Sequence, residues 1–212
     1  MSRTESGHEL IRLYHVALVE KLLGPGLRLI FWLSGCDFRC PGCIEPAQWN
    51  KEAGKPVLTS ELAEACSDVF NDVKGITFSG GEPLLQAEGL LSFLRLIPPK
   101  MDRMLFTGFE QDEMSDLQRK VQATMDISVE GRYVEEKAGD FLWRGSANKI
   151  IRSPTGKYGQ TILEHWMRSP SAGLSVNLAG ENVLFYGVPR KGALEKIEKE
   201  LRKKGVLLHF SR

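Results

Sequence analysis

Charge of either sign is nearly absent in excess: 28 basic against 27 acidic residues leave a net +1, so nothing in the balance calls for a nucleic-acid or anionic-membrane surface. No apolar run approaches the roughly 18 residues of a spanning helix. The opening "MSRTESGHEL" lacks the basic-then-apolar order of a secretory leader. Internal repeats and low-complexity tracts are missing, as is any convincing Ser/His/Asp or Cys/His arrangement for nucleophilic catalysis. With 42% apolar and 26% charged residues the composition is that of an ordinary soluble protein, and a cytoplasmic location is expected. Cysteine is scarce, at four residues in 212. In a reducing compartment, cysteines that cluster are expected to hold a metal or do redox chemistry rather than to pair as disulfides.

Three of those four do cluster, in "CDFRCPGC" from Cys36 to Cys43. The stretch follows "LRLIFWLSG", a β-branched and aromatic run that reads as a strand, itself preceded by the strand "IRLYHVAL" and the turn Gly24-Pro25-Gly26. After the cluster, "TSELAEACSDVFND" reads as an amphipathic helix with Leu62, Ala65, Cys66 and Val69 on one face. Then strand and helix alternate: "GITFSGGEP", "LLQAEGLLSFLRLI", "MDRMLFTGF", "EQDEMSDLQRKVQA" and "MDISVEG". That order predicts βαβ units and a parallel sheet, with "SGC", "SGGEP", "FTG" and "SVEGR" meeting at the carboxyl ends of the strands, where such sheets bind ligands. Residues 131–159 are polar with little periodicity. Residues 160–212 read as an appended β-hairpin about Gly180 to Asn182 and a helix ending at Gly205, beside a main domain over residues 1–159.

C-x3-C-x2-C brings three thiolates to one inorganic core, whereas tetrahedral zinc and ordinary electron-transfer clusters take four protein ligands. A zinc site would borrow Cys66, His8 or His15; Cys66 on its apolar helix face reads instead as a small core residue. An iron–sulfur cluster with one open iron is the other reading. In "SGGEP" a predicted strand ends in a glycine turn.

"CDFRCPGC" followed by "SGGEP" resembles the radical S-adenosylmethionine (SAM) enzymes. The resemblance implies that Cys36, Cys40 and Cys43 hold a [4Fe–4S] cluster, and that Ser79, Gly80, Gly81 and Glu82 hold the methionyl end of SAM on the fourth iron. It also implies an incomplete parallel (β/α) barrel, here with the hairpin-and-helix appendage. "CPGC", "FTGF", "DISVEGRYVEE" and "WRGSANKII" are similar to the activating enzymes of anaerobic ribonucleotide reductase, over roughly residues 25 to 152. Such enzymes cleave SAM reductively to a 5′-deoxyadenosyl radical and place a radical on a glycine of a large partner, with reduced flavodoxin or ferredoxin as electron donor. On that likeness Thr107, Asp126, Ser128 and Arg144 are further candidates for the SAM pocket. Glu130 stands where the family pattern has aspartate. A radical SAM maturase acting on a peptide or small metabolite is the alternative, and a non-enzymatic zinc or iron–sulfur module a third reading.

Overall fold

A computed structural model gives the structure of the protein, with residues 9–179 and 182–205 described; His8 and the hairpin tip at Gly180 and Glu181 lie outside that range. Strand β1 (Leu10–Glu20) turns back into β2 (Leu27–Leu33), and β3 (Lys55–Leu58) pairs with the other side of β1. Helix α1 (Thr59–Ala65) leads to β4 (Gly75–Gly80), α2 (Ala87–Leu96) to β5 (Asp102–Phe106), and α3 (Asp116–Gln122) to β6 (Ile127–Glu130). A small hairpin, β7 (Ala138–Phe141) and β8 (Arg144–Ser146), precedes β9 (Ile150–Arg152). Helix α4 (Gln160–Arg168), the hairpin β10 (Leu174–Ala179) and β11 (Asn182–Gly187), and α5 (Ala193–Lys203) complete the described chain.

Seven strands form one sheet in the order β3-β1-β2-β4-β5-β6-β9, parallel from β2 to β6 and antiparallel at both flanks. The α/β fold with a parallel centre thus agrees with expectation. The sheet is open, with β3 and β9 as its edges. Strand β2 is buried along almost its whole length, as a near-continuous apolar run in a two-sided sheet should be. Its register with β4 puts Leu33 beside Gly80, so the cysteine loop and the glycine turn leave the sheet side by side.

One face carries α1, α2 and α3 over a core of Phe31, Phe78, Leu90 and Phe93, the Phe31 and Phe93 rings 5.2 Å apart. Cys66 is buried in this core, as the helix periodicity predicts. Helix α3 is shorter than the sequence reading and starts at a capping box formed by Ser115 and Gln118. The other face is covered by the tail. Trp166 of α4 meets Trp143 at 5.0 Å over Met104, Ile127 and Val129. Tyr186 of β11 stacks on Trp32 and bonds to His15 at 2.9 Å. Where the sequence reading has one helix after Gly159, the described residues have two. Ile162, Leu163, Trp166 and Met167 give α4 its apolar side, but its N-terminus at Gly159 has no side-chain cap to announce it.

At the amino ends of the parallel strands, Arg28 is fully buried. Its guanidinium donates to Thr77 Oγ1 at 2.7 Å, to Asp102 Oδ1 at 2.7 Å and to the carbonyl of Ile76. Asp102 Oδ2 accepts from the Tyr158 hydroxyl at 2.6 Å and lies 2.9 Å from Lys157 Nζ. Burial pushes the Asp102 carboxyl up, but the Arg28 charge and the hydrogen bonds from Tyr158, Lys157 and Arg28 outweigh it and hold it low. Removing one partner of such a pair strands a buried charge. Asp102→Asn should therefore lower unfolding free energy in urea titrations by about 3–5 kcal/mol. Because the folded carboxyl is held low, its contribution is present above the unfolded value of about 3.9 and disappears as the pH falls through the folded one; the variant should lack that acid limb.

Candidate functional site

The cysteine loop is closed by its own backbone. Gly35 N–H donates to the Gln48 carbonyl at 2.8 Å and Cys36 N–H to that of Trp49 at 3.1 Å, so residues 36 to 47 return to where they began. Cys43 N–H donates to the Cys40 carbonyl at 3.1 Å, with Gly42 at φ +71° completing the turn. A Cβ on Gly42 would lie 3.1 Å from both Tyr133 and Glu135, so the loop is packed against the chain that follows β6. Only glycine suits that φ and that gap together.

All three thiols of the loop are half-buried. Burial pushes the Cys36 and Cys43 thiols up. Hydrogen bonds pull them back: backbone N–H groups of Phe38 and Arg39 point at Cys36, and the Glu45 N–H with the Trp49 indole at Cys43. Such donors stabilise thiolate and tune a bound cluster. Cys40 is coupled electrostatically to both other cysteines. Yet no three His, Cys, Asp or Glu side chains among the described residues are set to share one metal ion. Of the three proposed fourth ligands, Cys66 lies in the helix-side core and His15 bonds to Tyr186, while His8 lies outside the described residues. Three thiols on one loop, with no fourth thiol placed beside them among the described residues, fit a cluster that keeps one iron open better than a four-ligand zinc site.

The glycine turn lies against this loop. A Cβ on Gly80, at φ +107°, would sit 2.3 Å from the Leu33 carbonyl oxygen, and one on Gly81 would sit 2.4 Å from that of Gly35. Gly81 N–H donates to Leu33 at 2.7 Å and Glu82 N–H to Gly35 at 2.8 Å. Glu82 is buried. Its carboxylate accepts from Leu84 N–H at 2.9 Å, from the Thr107 hydroxyl at 2.8 Å and from Gly108 N–H at 2.6 Å. Phe38 leans edge-on to Phe109 with centroids 4.8 Å apart, while the Arg132 guanidinium lies 4.4 Å over its ring. Ser79, Gly80, Gly81, Glu82, Thr107 and the cysteine loop are thus gathered at the carboxyl ends of β2, β4 and β5.

Three other candidates are not brought to this rim by their side chains. Asp126 precedes β6 at the opposite end of the sheet, where it accepts from Arg103 N–H at 3.0 Å and Thr155 at 2.8 Å. Ser128 donates to Glu130 Oε1 at 2.6 Å, and Gln122 of α3 donates to the same oxygen at 2.9 Å, which puts the pair on the helix side. Arg144 grips the carbonyls of Ala147, Lys149 and Met167 and lies 4.8 Å over the Phe141 ring, a structural clasp for the loop before β9. The short strands β7 and β8 supply that clasp. Sequence reading passed over Lys149, whose ammonium interacts with Glu82, Cys40 and Cys43. A lone lysine in a polar loop carries no periodicity or spacing by which to find it.

Burial pushes the Glu82 carboxyl up to about 7, against the N–H groups of Gly108 and Leu84, the Thr107 hydroxyl and the Lys149 charge. A carboxyl that holds its proton more tightly when folded stabilises below the unfolded value, about 4.3, and ceases to as the pH rises through the folded one. Cofactor-free protein should lose roughly 3 kcal/mol from this group between pH 4 and 8 in urea titrations. Glu82→Gln should remove that slope; an unchanged slope would place the titration elsewhere.

Residues 22–152 match a family described as a 4Fe-4S single cluster domain. An anaerobic ribonucleoside-triphosphate reductase-activating protein of Haemophilus influenzae is 36% identical over 141 residues, covering 60% of this chain and 88% of its own. Its namesake from Escherichia coli K12 is 31% identical over 144 residues, covering 63% and 92%, and that of Enterobacteria phage T4 is 28% identical over 138, covering 62% and 87%. Among solved structures, the crystal structure of QueE from Escherichia coli aligns with 47% of this chain and 52% of its own at 15% identity and a TM-score of 0.41. The match spans more than half the chain and contains the cysteine loop, the glycine turn and Arg144, and the chain belongs to the 4Fe-4S single cluster domain family.

Proposed function

We propose that the protein is a radical SAM activating enzyme: it holds a [4Fe–4S] cluster through Cys36, Cys40 and Cys43 and uses SAM to place a radical on a glycine of a large partner protein, as an anaerobic ribonucleotide reductase activator does. The observation that carries this reading is the three-thiol loop locked by backbone bonds to a buried Glu82, with no fourth thiol or imidazole in reach among the described residues. When bound, the cluster would supply the electron that breaks a carbon–sulfur bond of SAM, and the adenosyl fragment would take the glycine hydrogen.

The chain's own work is to bind, orient and exclude water. Three thiolates leave one iron for the methionyl end of SAM. Gly80 and Gly81 keep the floor free of side chains, and Glu82, oriented by Thr107 and Gly108, accepts from the SAM ammonium. Ser79 belongs to the same wall. Phe38, Phe109 and the indole of Trp49 keep water from the sulfurs. Ser128 and Arg144 would serve this pocket from behind, through the strand and loop they hold, while Asp126 anchors the far end of β6. On this reading the open sheet is an incomplete (β/α) barrel, residues 160–212 are an extension of a core over 1–159, and reduced flavodoxin or ferredoxin supplies the electron in the cytoplasm. No helix among the described residues is long and apolar enough to cross a membrane. Relatives that are reductase activators do not favour the maturase alternative.

After anaerobic reconstitution with iron and sulfide, the reduced protein should form 5′-deoxyadenosine from SAM and raise a glycyl radical signal on an anaerobic reductase partner. Cys36→Ser, Cys40→Ser and Cys43→Ser should each abolish both, and Cys66→Ser should abolish neither. A zinc-loaded protein, or a cluster whose EPR signal ignores SAM, would overturn the reading.

A further inference from the structure

The backbone bonds from Gly35 and Cys36 to Gln48 and Trp49 close the cysteine loop at its base. They do not reach its tip, residues 38–43. Within that tip Arg39 stands at φ +47°, a left-handed backbone that a residue with a side chain keeps only where its surroundings impose it. Two consecutive residues of the segment after β6 touch the tip at two points. The Arg132 guanidinium lies 4.4 Å over the Phe38 ring. The Tyr133 ring is wedged between the loop and β8, since a Cβ on Gly42 or on Gly145 would stand 3.1 Å from it. The two contacts bracket Cys40.

That segment is itself tied down. Gly131 N–H donates to the Phe109 carbonyl at 3.3 Å, the Arg132 carbonyl accepts from Asn148 Nδ2 at 2.9 Å, and Val134 N–H donates to Ser146 Oγ at 3.2 Å. Arg132 is aimed by Glu113, whose Oε1 lies 2.7 Å from its Nη2 while Oε2 accepts from the Glu110 N–H at 2.9 Å. Phe38 follows β2, Glu113 follows β5 and Arg132 follows β6, so one guanidinium joins the exits of three strands. On its other side the Phe38 ring stands 2.5 Å from where a Cβ on Gly108 would be, which leaves the ring no room to swing away from Arg132 while the segment is in place.

We infer that residues 131–136 form a strap that keeps the tip of the cysteine loop closed over its cluster, with Arg132 and Tyr133 as positioning residues and Glu113 as the catch. This rests on the reading of a cluster in the loop. A chelator reaches the iron when the tip opens, so the rate of iron release reports how firmly the strap holds. The catch is an ion pair with side chains 42% and 32% exposed, which salt screens.

Iron release from the anaerobically reconstituted holoenzyme to bathophenanthroline disulfonate tests this without SAM, turnover or a partner protein. Arg132→Ala should speed release about five- to tenfold and Glu113→Gln about two- to threefold, the sizes of a lost cation–π contact together with an exposed ion pair and of the pair alone. Arg132→Lys should fall between wild type and Arg132→Ala, because it keeps the ion pair and loses the flat stacking group. Release from wild type should quicken as sodium chloride is raised, and release from Glu113→Gln should not. The urea midpoint of cofactor-free Glu113→Gln should equal that of wild type, which separates opening of the tip from loosening of the whole fold; this variant and the salt series carry the test if Arg132→Ala takes up no iron. Wild-type release rates in both Arg132→Ala and Glu113→Gln, a salt response that survives in Glu113→Gln, or a lowered urea midpoint in that variant would each overturn the inference and leave the cluster reading standing. Wild-type protein that takes up no [4Fe–4S] cluster would overturn the cluster reading, and the inference with it.

Discussion

Everything at the functional rim depends on the contact between two backbones. Gly80 and Gly81 lie so close to Leu33 and Gly35 that any side chain would overlap a carbonyl oxygen, and two N–H groups of the turn are bonded across the gap. The cysteine loop therefore cannot move independently of Glu82. This is what the glycines contribute: they set the distance between a metal-binding loop and a carboxylate that arrive from different strands.

The sheet separates two kinds of polarity along its strands. At the amino ends, Arg28 and Asp102 satisfy one another so completely that nothing is left for a ligand. At the carboxyl ends stand the three half-buried thiols and the buried Glu82 carboxylate, which takes its donors from the adjoining loops. Buried atoms without a partner among the described residues occur at both ends, Arg103 Nε on the amino side of β5 and Asn148 Oδ1 beyond β6, so it is the thiol loop and the glycine turn that distinguish the carboxyl rim. The tail supports that division from the side, since α4 and the β11 strand cover the sheet face that the three crossover helices leave open.

The parallel strands and the cysteine loop were legible because their signals are local: continuous apolar runs, glycine turns, and thiols at ligand spacing. Ser79 through Glu82 could be placed beside the cysteines because both follow consecutive parallel strands. Asp126 and Ser128 were harder, because a strand sends alternate side chains to opposite faces and the sequence does not say which face or level is the site. Ser128 faces α3 because Gln122 and Glu130 hold it there. Strands β7 and β8 are too short to show alternation, so the sequence carries no signal for the Arg144 clasp. Lys149 was hidden for the same reason, its neighbours being brought to it by β9 pairing with β6.

The central claim is that the loop holds a cluster with one iron reserved for SAM. Mössbauer spectroscopy of the protein reconstituted with iron-57 tests it most directly, before any turnover or partner is involved. Adding SAM should change the parameters of one iron out of the cluster and leave those held by Cys36, Cys40 and Cys43 as they were. A spectrum that SAM leaves unaltered would contradict the account.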